Sequence, residues 1–186
     1  MTLFQNSYRV ESTRLGGWDY SSRGWYFATV CTKNKSCSLG HAENAEVKLS
    51  PAGSIAQSEI KAIAGRYKKV AINRYVIMPN HVHMIVVIEG IHIHSPAAGD
   101  PIDPPVETGL APSPREHVSV SQIVGAYKAG VSRICHANGI LEFAWQPRFH
   151  DHILRSNVSV NAARDYIDHN VENWLLDPDN LDGGAA

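Results

Sequence analysis

A chain of 186 residues with 44% hydrophobic side chains can bury the core of one domain. It opens Met1-Thr2-Leu3-Phe4-Gln5 with no basic stretch leading into an apolar run, and no run of about 18 apolar residues follows, so neither a secretory leader nor a membrane-spanning helix is expected. The expectation is a soluble, cytoplasmic protein. The formal net charge is -1, but charge is unevenly spread. Setting aside Asp177, Asp179 and Asp182 near the end, and Asp100, Asp103, Glu107, Glu116 and Arg115 in a Pro-rich stretch, leaves 16 basic against 11 acidic residues. That excess of about five permits a phosphate-binding face. Cys31, Cys37 and Cys135 are odd in number and fit no C-x-x-C spacing, so they read as thiols in a reducing compartment.

Residues 23 to 32 are rich in aromatic and β-branched types and follow the turn-like Asp19-Tyr20-Ser21-Ser22, which predicts a central strand. Two short strands are expected near Ser38–His41 and Glu46–Leu49. Ser50-Pro51 then opens a helix expected to run to about Tyr67, with proline at its first position. From Val70 to Glu89 two β-rich runs flank Met78-Pro79-Asn80, the pattern of a hairpin or sharply bent strand pair. Residues 90 to 117 shift to Pro, Gly, Ala and Ser, a composition that cannot bury enough surface to order itself and predicts a flexible linker.

Beyond it, Val120, Ile123, Val124, Tyr127, Val131, Ile134 and Cys135 recur at spacings of three and four. This predicts one face of a helix ending at Asn138-Gly139, with Gln122, Lys128, Ser132, Arg133 and His136 opposite. Phe143 to Phe149 reads as extended or loop-like. Asn157 or Ser159 would cap a last helix reaching Trp174, with Ala163, Ile167, Val171 and Trp174 on its buried side. The organisation expected is one domain over residues 1–176, interrupted by the linker, and an acidic flexible tail at 177–186.

Strand alternation in His81-Val82-His83-Met84-Ile85-Val86-Val87-Ile88 puts both histidines on one face, about 7 Å apart at their Cα atoms. Two imidazoles in an apolar strand need partners, and one metal ion supplies both. The same spacing recurs in His92-Ile93-His94, at the mouth of the linker, and His150-Asp151-His152, on an expected loop, so the pattern alone decides nothing. Ordinary half-exposed strand histidines would look the same. On the last helix Tyr166 and Asn170 stand four apart and would share a face, although a lone helical tyrosine is more often core or surface than catalytic.

Read together, five segments resemble the REP-associated tyrosine transposases, of the one-tyrosine branch of the HUH (His-hydrophobic-His) single-stranded DNA nucleases. They are Trp18 to Phe27, Val76 to His83, Ile123 to Lys128, Trp145 to Arg155 and Asp165 to Asn170, in order within about residues 8 to 176. The resemblance implies an α+β fold, an antiparallel central sheet with helices packed on it (ferredoxin-like/HUH nuclease fold). It implies a metal-dependent single-stranded DNA endonuclease and strand transferase that cuts near hairpin or palindromic repeats through a 5′-phosphotyrosine. By correspondence His81 and His83 are metal ligands, Tyr166 is the catalytic tyrosine and Asn170 is the candidate third ligand. Two departures stand out. Val171 occupies a position where relatives commonly read proline, and the 90–117 linker is long.

The ion implied is Mg²⁺ or Mn²⁺, imidazole suiting Mn²⁺ better. Because an unperturbed tyrosine has a pKa of about 10, it needs help to lose its proton, and His152, His169 and Lys128 are the candidates to assist. Lys128, Arg133, Arg148 and Arg155 are candidate phosphate contacts, with Trp145 or Phe149 stacking on a base. The partner expected is single-stranded or hairpin DNA, bound by a monomer or homodimer, with no membrane involved. Two other readings fit the same residues: a domesticated, non-cleaving DNA hairpin-binding protein, and a small metal-dependent phosphoesterase that activates water instead of using Tyr166.

Overall fold

The computed structural model describes residues 3–4, 7–8, 17–89, 118–177 and 180. The linker expected at 90–117, with His92 and His94, lies outside the described residues, as do residues 178, 179 and 181–186 of the expected tail. In chain order the strands are β1 (Leu3–Phe4), β2 (Ser7–Tyr8), β3 (Gly24–Cys31), β4 (Gly40–Glu43), β5 (Glu46–Leu49), β6 (Val70–Ile77), β7 (His81–Ile88) and β8 (His150–Leu154). The helices are α1 (Pro51–Arg66), α2 (Val120–Ala137) and α3 (Asn157–Asp168).

Four strands form one antiparallel sheet in the order β6-β7-β3-β8, with β1-β2 and β4-β5 as separate two-stranded ribbons. Every residue of β7 is buried, which accounts for its nearly continuous apolar run: as an inner strand it is covered on both faces. The alternation of β3 and β7 sorts side chains into two cores. Tyr26, Ala28 and Val30 with Val82, Met84 and Val86 meet α1 and α2 on one face, while Trp25, Ile85 and Val87 meet Val160 and Ile167 of α3 on the other. The architecture is therefore an α+β fold, an antiparallel sheet with helices packed on it.

Local signals start the elements where the residues direct. Ser50 accepts from the Gly53 amide at 3.1 Å ahead of Pro51, and Ser119 forms a capping box with Gln122. Gly139, at φ +81°, follows the end of α2. The Met78-Pro79-Asn80 turn is held by Met78 N–H donating to the His81 carbonyl at 2.8 Å, and by Thr32 N–H donating to the Asn80 carbonyl at 2.8 Å.

Three expectations need correction. His150-Asp151-His152 lies on β8, an edge strand paired with β3, and not on a loop. Its apolar content is low because an edge strand leaves part of itself to solvent. The last helix starts at Asn157, ahead of either expected cap, because Ser156 caps it and bonds reciprocally with Ser159 as a capping box. It also stops at Asp168, six residues short of Trp174, and the chain continues in a turn and a short 3₁₀ segment over Trp174–Leu176. Asn173 donates its side-chain amide to the His169 carbonyl at 3.0 Å, the local competition with helix bonding that asparagine provides.

Helices α1 and α2 approach closely at Gly130, where an added Cβ would lie 2.1 Å from Glu59 Oε2. Glu59 is 5% exposed and accepts from Arg66 at 2.9 Å, so displacing it strands a buried carboxylate. Gly130→Ala is expected to destabilise by about 1–3 kcal/mol. Gly125→Ala, on the same helix with nothing within 4 Å of the added Cβ, should stabilise by about 0.5–1 kcal/mol. Urea unfolding of both variants measures the opposite signs.

Candidate functional site

Because β7 alternates, its odd-numbered residues face α3, and His81 and His83 lead that row at the end nearest the Pro79-Asn80 turn. Across β3 they stand opposite Cys31 and Thr29. His81 is 0% and His83 4% exposed, and their rings meet edge to face at 4.4 Å between centroids. Each ring is held through Nδ1: His81 by Asn80 Oδ1 at 2.8 Å, His83 by Thr29 Oγ1 at 2.9 Å. The Nε2 atoms are thereby turned the same way, toward α3 and the segment after it.

Helix α3 supplies the next group. Ile167 and Val160 enter the core beside Trp25, and Arg164 fastens the helix to the sheet by donating to Asn73 Oδ1 at 2.8 Å while lying 5.2 Å over the Trp25 ring. With Ile167 inward, Tyr166 stands at the rim, 47% exposed. Its hydroxyl is 3.4 Å from His83 Nε2, and Phe27, stacked on His83 at 5.2 Å, meets the tyrosine edge at 6.0 Å. The tyrosine is thus open to solvent on one side and in contact with buried His83 on the other.

The early end of α3 changes how the remaining groups arrive. Asn170 does not share a helical face with Tyr166; it lies in the turn, 3% exposed, and its Oδ1 has no hydrogen-bond partner among the described residues. The 3₁₀ segment then folds back so that Trp174 packs 6.1 Å from His81 and Asp177 Oδ2 comes to 3.9 Å from His81 Nε2. Ligand atoms of His81, His83 and Asp177 all lie within 4.8 Å of one another. Asp177 was counted with the tail acids, yet its side chain is 7% exposed. No spacing rule links it to the histidines; the nearest sequence hint was Trp174, an apolar anchor three residues earlier.

This donor set suits a divalent cation. Two imidazoles aimed through Nε2 and a nearly buried carboxylate are borderline and hard ligands that would otherwise be costly to bury together. The group His81, His83 and Asp177 could hold a metal ion.

Other expected residues fall elsewhere. His152 is exposed on β8 opposite Phe27, on the same sheet face as the site. His169 is exposed at the end of α3, where the hydrogen bond of its Nδ1 to the Asp165 carbonyl, and then Glu172, raise its pKa. Lys128 and Arg133 belong to α2, on the opposite face of the sheet, so the structure does not bring Lys128 to Tyr166. Lys128 instead donates to the Gln146 and Arg148 carbonyls, both at 2.6 Å, and burial lowers its pKa. Trp145 and Phe149 pack against the α1-α2 core, which removes much of their surface from a stacking role. Arg148 is exposed at φ +68°, and the Arg155 guanidinium sits 5.3 Å over the Trp18 ring.

No family model matches the chain. A Haemophilus influenzae protein without assigned function is 31% identical over 169 residues, covering 89% of this chain and 90% of its own. Among solved structures, a REP-associated tyrosine transposase bound to a REP hairpin superposes with a TM-score of 0.57 at 22% identity, covering 89% of this chain and 74% of that one. A transposase candidate from Deinococcus radiodurans R1 gives a TM-score of 0.46 at 14% identity, over 85% of this chain and 97% of that one.

Trp174 is the hinge pin of the returning segment. Trp174→Ala should cost about 3 kcal/mol, the low end for a buried tryptophan, and free Asp177 from His81. Exchange of the His81 ring C2 hydrogen with deuterium, read by mass spectrometry, should accelerate relative to that of His83.

Proposed function

As the chain belongs to one family with that Haemophilus influenzae protein and has the fold of the REP-associated tyrosine transposases, we propose that it is a metal-dependent endonuclease and strand transferase for single-stranded or hairpin DNA. The observation that carries this reading is the Tyr166 hydroxyl 3.4 Å from His83 Nε2, beside a second buried imidazole and a carboxylate.

In this reading His81 and His83 hold the ion, with Asp177 and Asn170 as the further oxygen donors. A bound Mg²⁺ or Mn²⁺ would neutralise charge on a non-bridging phosphate oxygen and so lower the electrostatic barrier to an anionic nucleophile. Tyr166 gives up its phenolic proton and forms the new O–P bond, the bond from phosphorus to the 3′ oxygen breaks, and that oxygen leaves as a 3′-hydroxyl by taking up one proton, so the step conserves protons overall. The 5′ phosphate stays on the tyrosine as an ester of similar energy, so a second 3′-hydroxyl can reverse the step and join new ends. Phe27 keeps the tyrosine and His83 rings in place, and the open rim of α3 admits an unpaired strand. His152, on the same sheet face as His83, and His169, just past the end of α3, are the groups proposed to take the phenolic proton. Arg148 and Arg155 are the exposed cations proposed to grip phosphates. Lys128, Arg133, Trp145 and Phe149 would contact DNA only where it wraps past the sheet edge.

With a labelled single-stranded hairpin and Mn²⁺, the parent chain should leave a DNA adduct on the Tyr166 peptide, detectable by mass spectrometry. Tyr166→Phe should form no adduct and cut at least about a hundredfold more slowly, nucleophile removal costing on the scale of catalytic-group deletions. Undiminished cutting by that variant would mean a water nucleophile, and binding without any cutting by the parent would mean a non-cleaving hairpin binder. Chelation with EDTA should abolish cleavage, with Mn²⁺ restoring it.

A further inference from the structure

We infer that Asn80 is a positioning residue that locks His81 in the single tautomer able to bind a cation through Nε2. This rests on the metal reading above and extends it to a residue that touches neither the ion nor the DNA. The direction of one amide sets the tautomer. Asn80 Nδ2 lies 3.1 Å from the Lys35 carbonyl. A carbonyl oxygen only accepts, so the atom facing it must be the NH₂ group. The other end, facing His81 Nδ1 at 2.8 Å, is then Oδ1, which also only accepts. His81 Nδ1 must therefore carry the hydrogen, and in the neutral ring Nε2 presents its lone pair.

The two histidines differ in this respect. Thr29 Oγ1, 2.9 Å from His83 Nδ1, is a hydroxyl that donates or accepts, so it orients the ring without choosing the tautomer. His81 is fully buried, where an unmatched ring nitrogen costs about 1–3 kcal/mol, so the amide's choice is enforced. Asn80 is itself 0% exposed, and its backbone carbonyl accepts from Thr32 N–H at 2.8 Å and Thr32 Oγ1 at 2.9 Å. The amide also spans to a loop under backbone strain, since Asn34 and Lys35 have φ of 56° and 52°. One side chain thus joins that loop to the imidazole.

The test uses the whole chain. In metal-free protein, long-range ¹H–¹⁵N correlation spectra of the histidine rings should show His81 protonated at Nδ1. Asn80→Leu removes the acceptor and should weaken Mn²⁺ binding, titrated by electron paramagnetic resonance, by about 10–100-fold. Asn80→Asp keeps an acceptor toward His81 while giving up the donor to Lys35, so it should recover binding to within about threefold of the parent, inside the spread between first-neighbour replacements. An Nε2-protonated His81 in the parent, or a folded Asn80→Leu variant that binds Mn²⁺ as the parent does, overturns the inference. Should Asn80→Leu fail to fold, the parent spectrum still decides. A parent that binds no Mn²⁺ overturns the metal reading instead, and the spectrum again decides the tautomer separately.

Discussion

Two imidazoles buried side by side on a strand that exposes none of its residues impose a demand the surrounding structure has to meet. Each ring carries two nitrogens, and a buried nitrogen without a partner costs about 1–3 kcal/mol. The strand's own turn residue and the neighbouring strand satisfy the two Nδ1 atoms. The Nε2 atoms are met from the far side by Tyr166 and by the segment that brings Asp177 home. The site is thus an outcome of satisfying polar groups in a place where apolar ones would be easier to bury.

The sheet separates stability from chemistry. Its α1-α2 face is almost wholly apolar and holds the larger core. The α3 face carries a smaller core, and its row ends in Phe27, His83, Thr29 and His81. α3 can therefore shorten, turn and return without disturbing the main core. Its attachment relies on Arg164 over Trp25, on Ile167 and Val160, and on an exposed Arg74–Asp168 pair at 3.5 Å. An exposed pair of that kind adds little, which leaves the helix that presents Tyr166 held mainly by a few side chains against Trp25. Among the described residues no helix is long and apolar enough to cross a membrane.

Much of this was legible from residue order. The Pro-Asn turn between two apolar runs, the Ser50-Pro51 start and the spacing of three and four in α2 are local signals, set by backbone dihedrals and side-chain periodicity, and they held to within a residue or two. The antiparallel sheet with helices on it was implied by the resemblance of five ordered motifs. His81, His83 and Tyr166 were singled out for the same reason, and the fold brings them together. The extent of α3 was overestimated because Val171 and Trp174 continue its apolar spacing, and periodicity does not register the asparagines that end it.

What the amino-acid order determined by itself, then, was where most elements begin, which way strand residues alternate, and that two histidines share a face. Only the tertiary structure decided that Asp177 comes beside the two histidines, that Lys128 lies on the far side of the sheet, that His150 and His152 ride an edge strand, and that Asn80 holds the His81 ring. The physical reason is range. Periodicity and capping act over about four residues, whereas these four facts depend on which face a helix covers and on where a carbonyl 45 positions away along the chain points an amide.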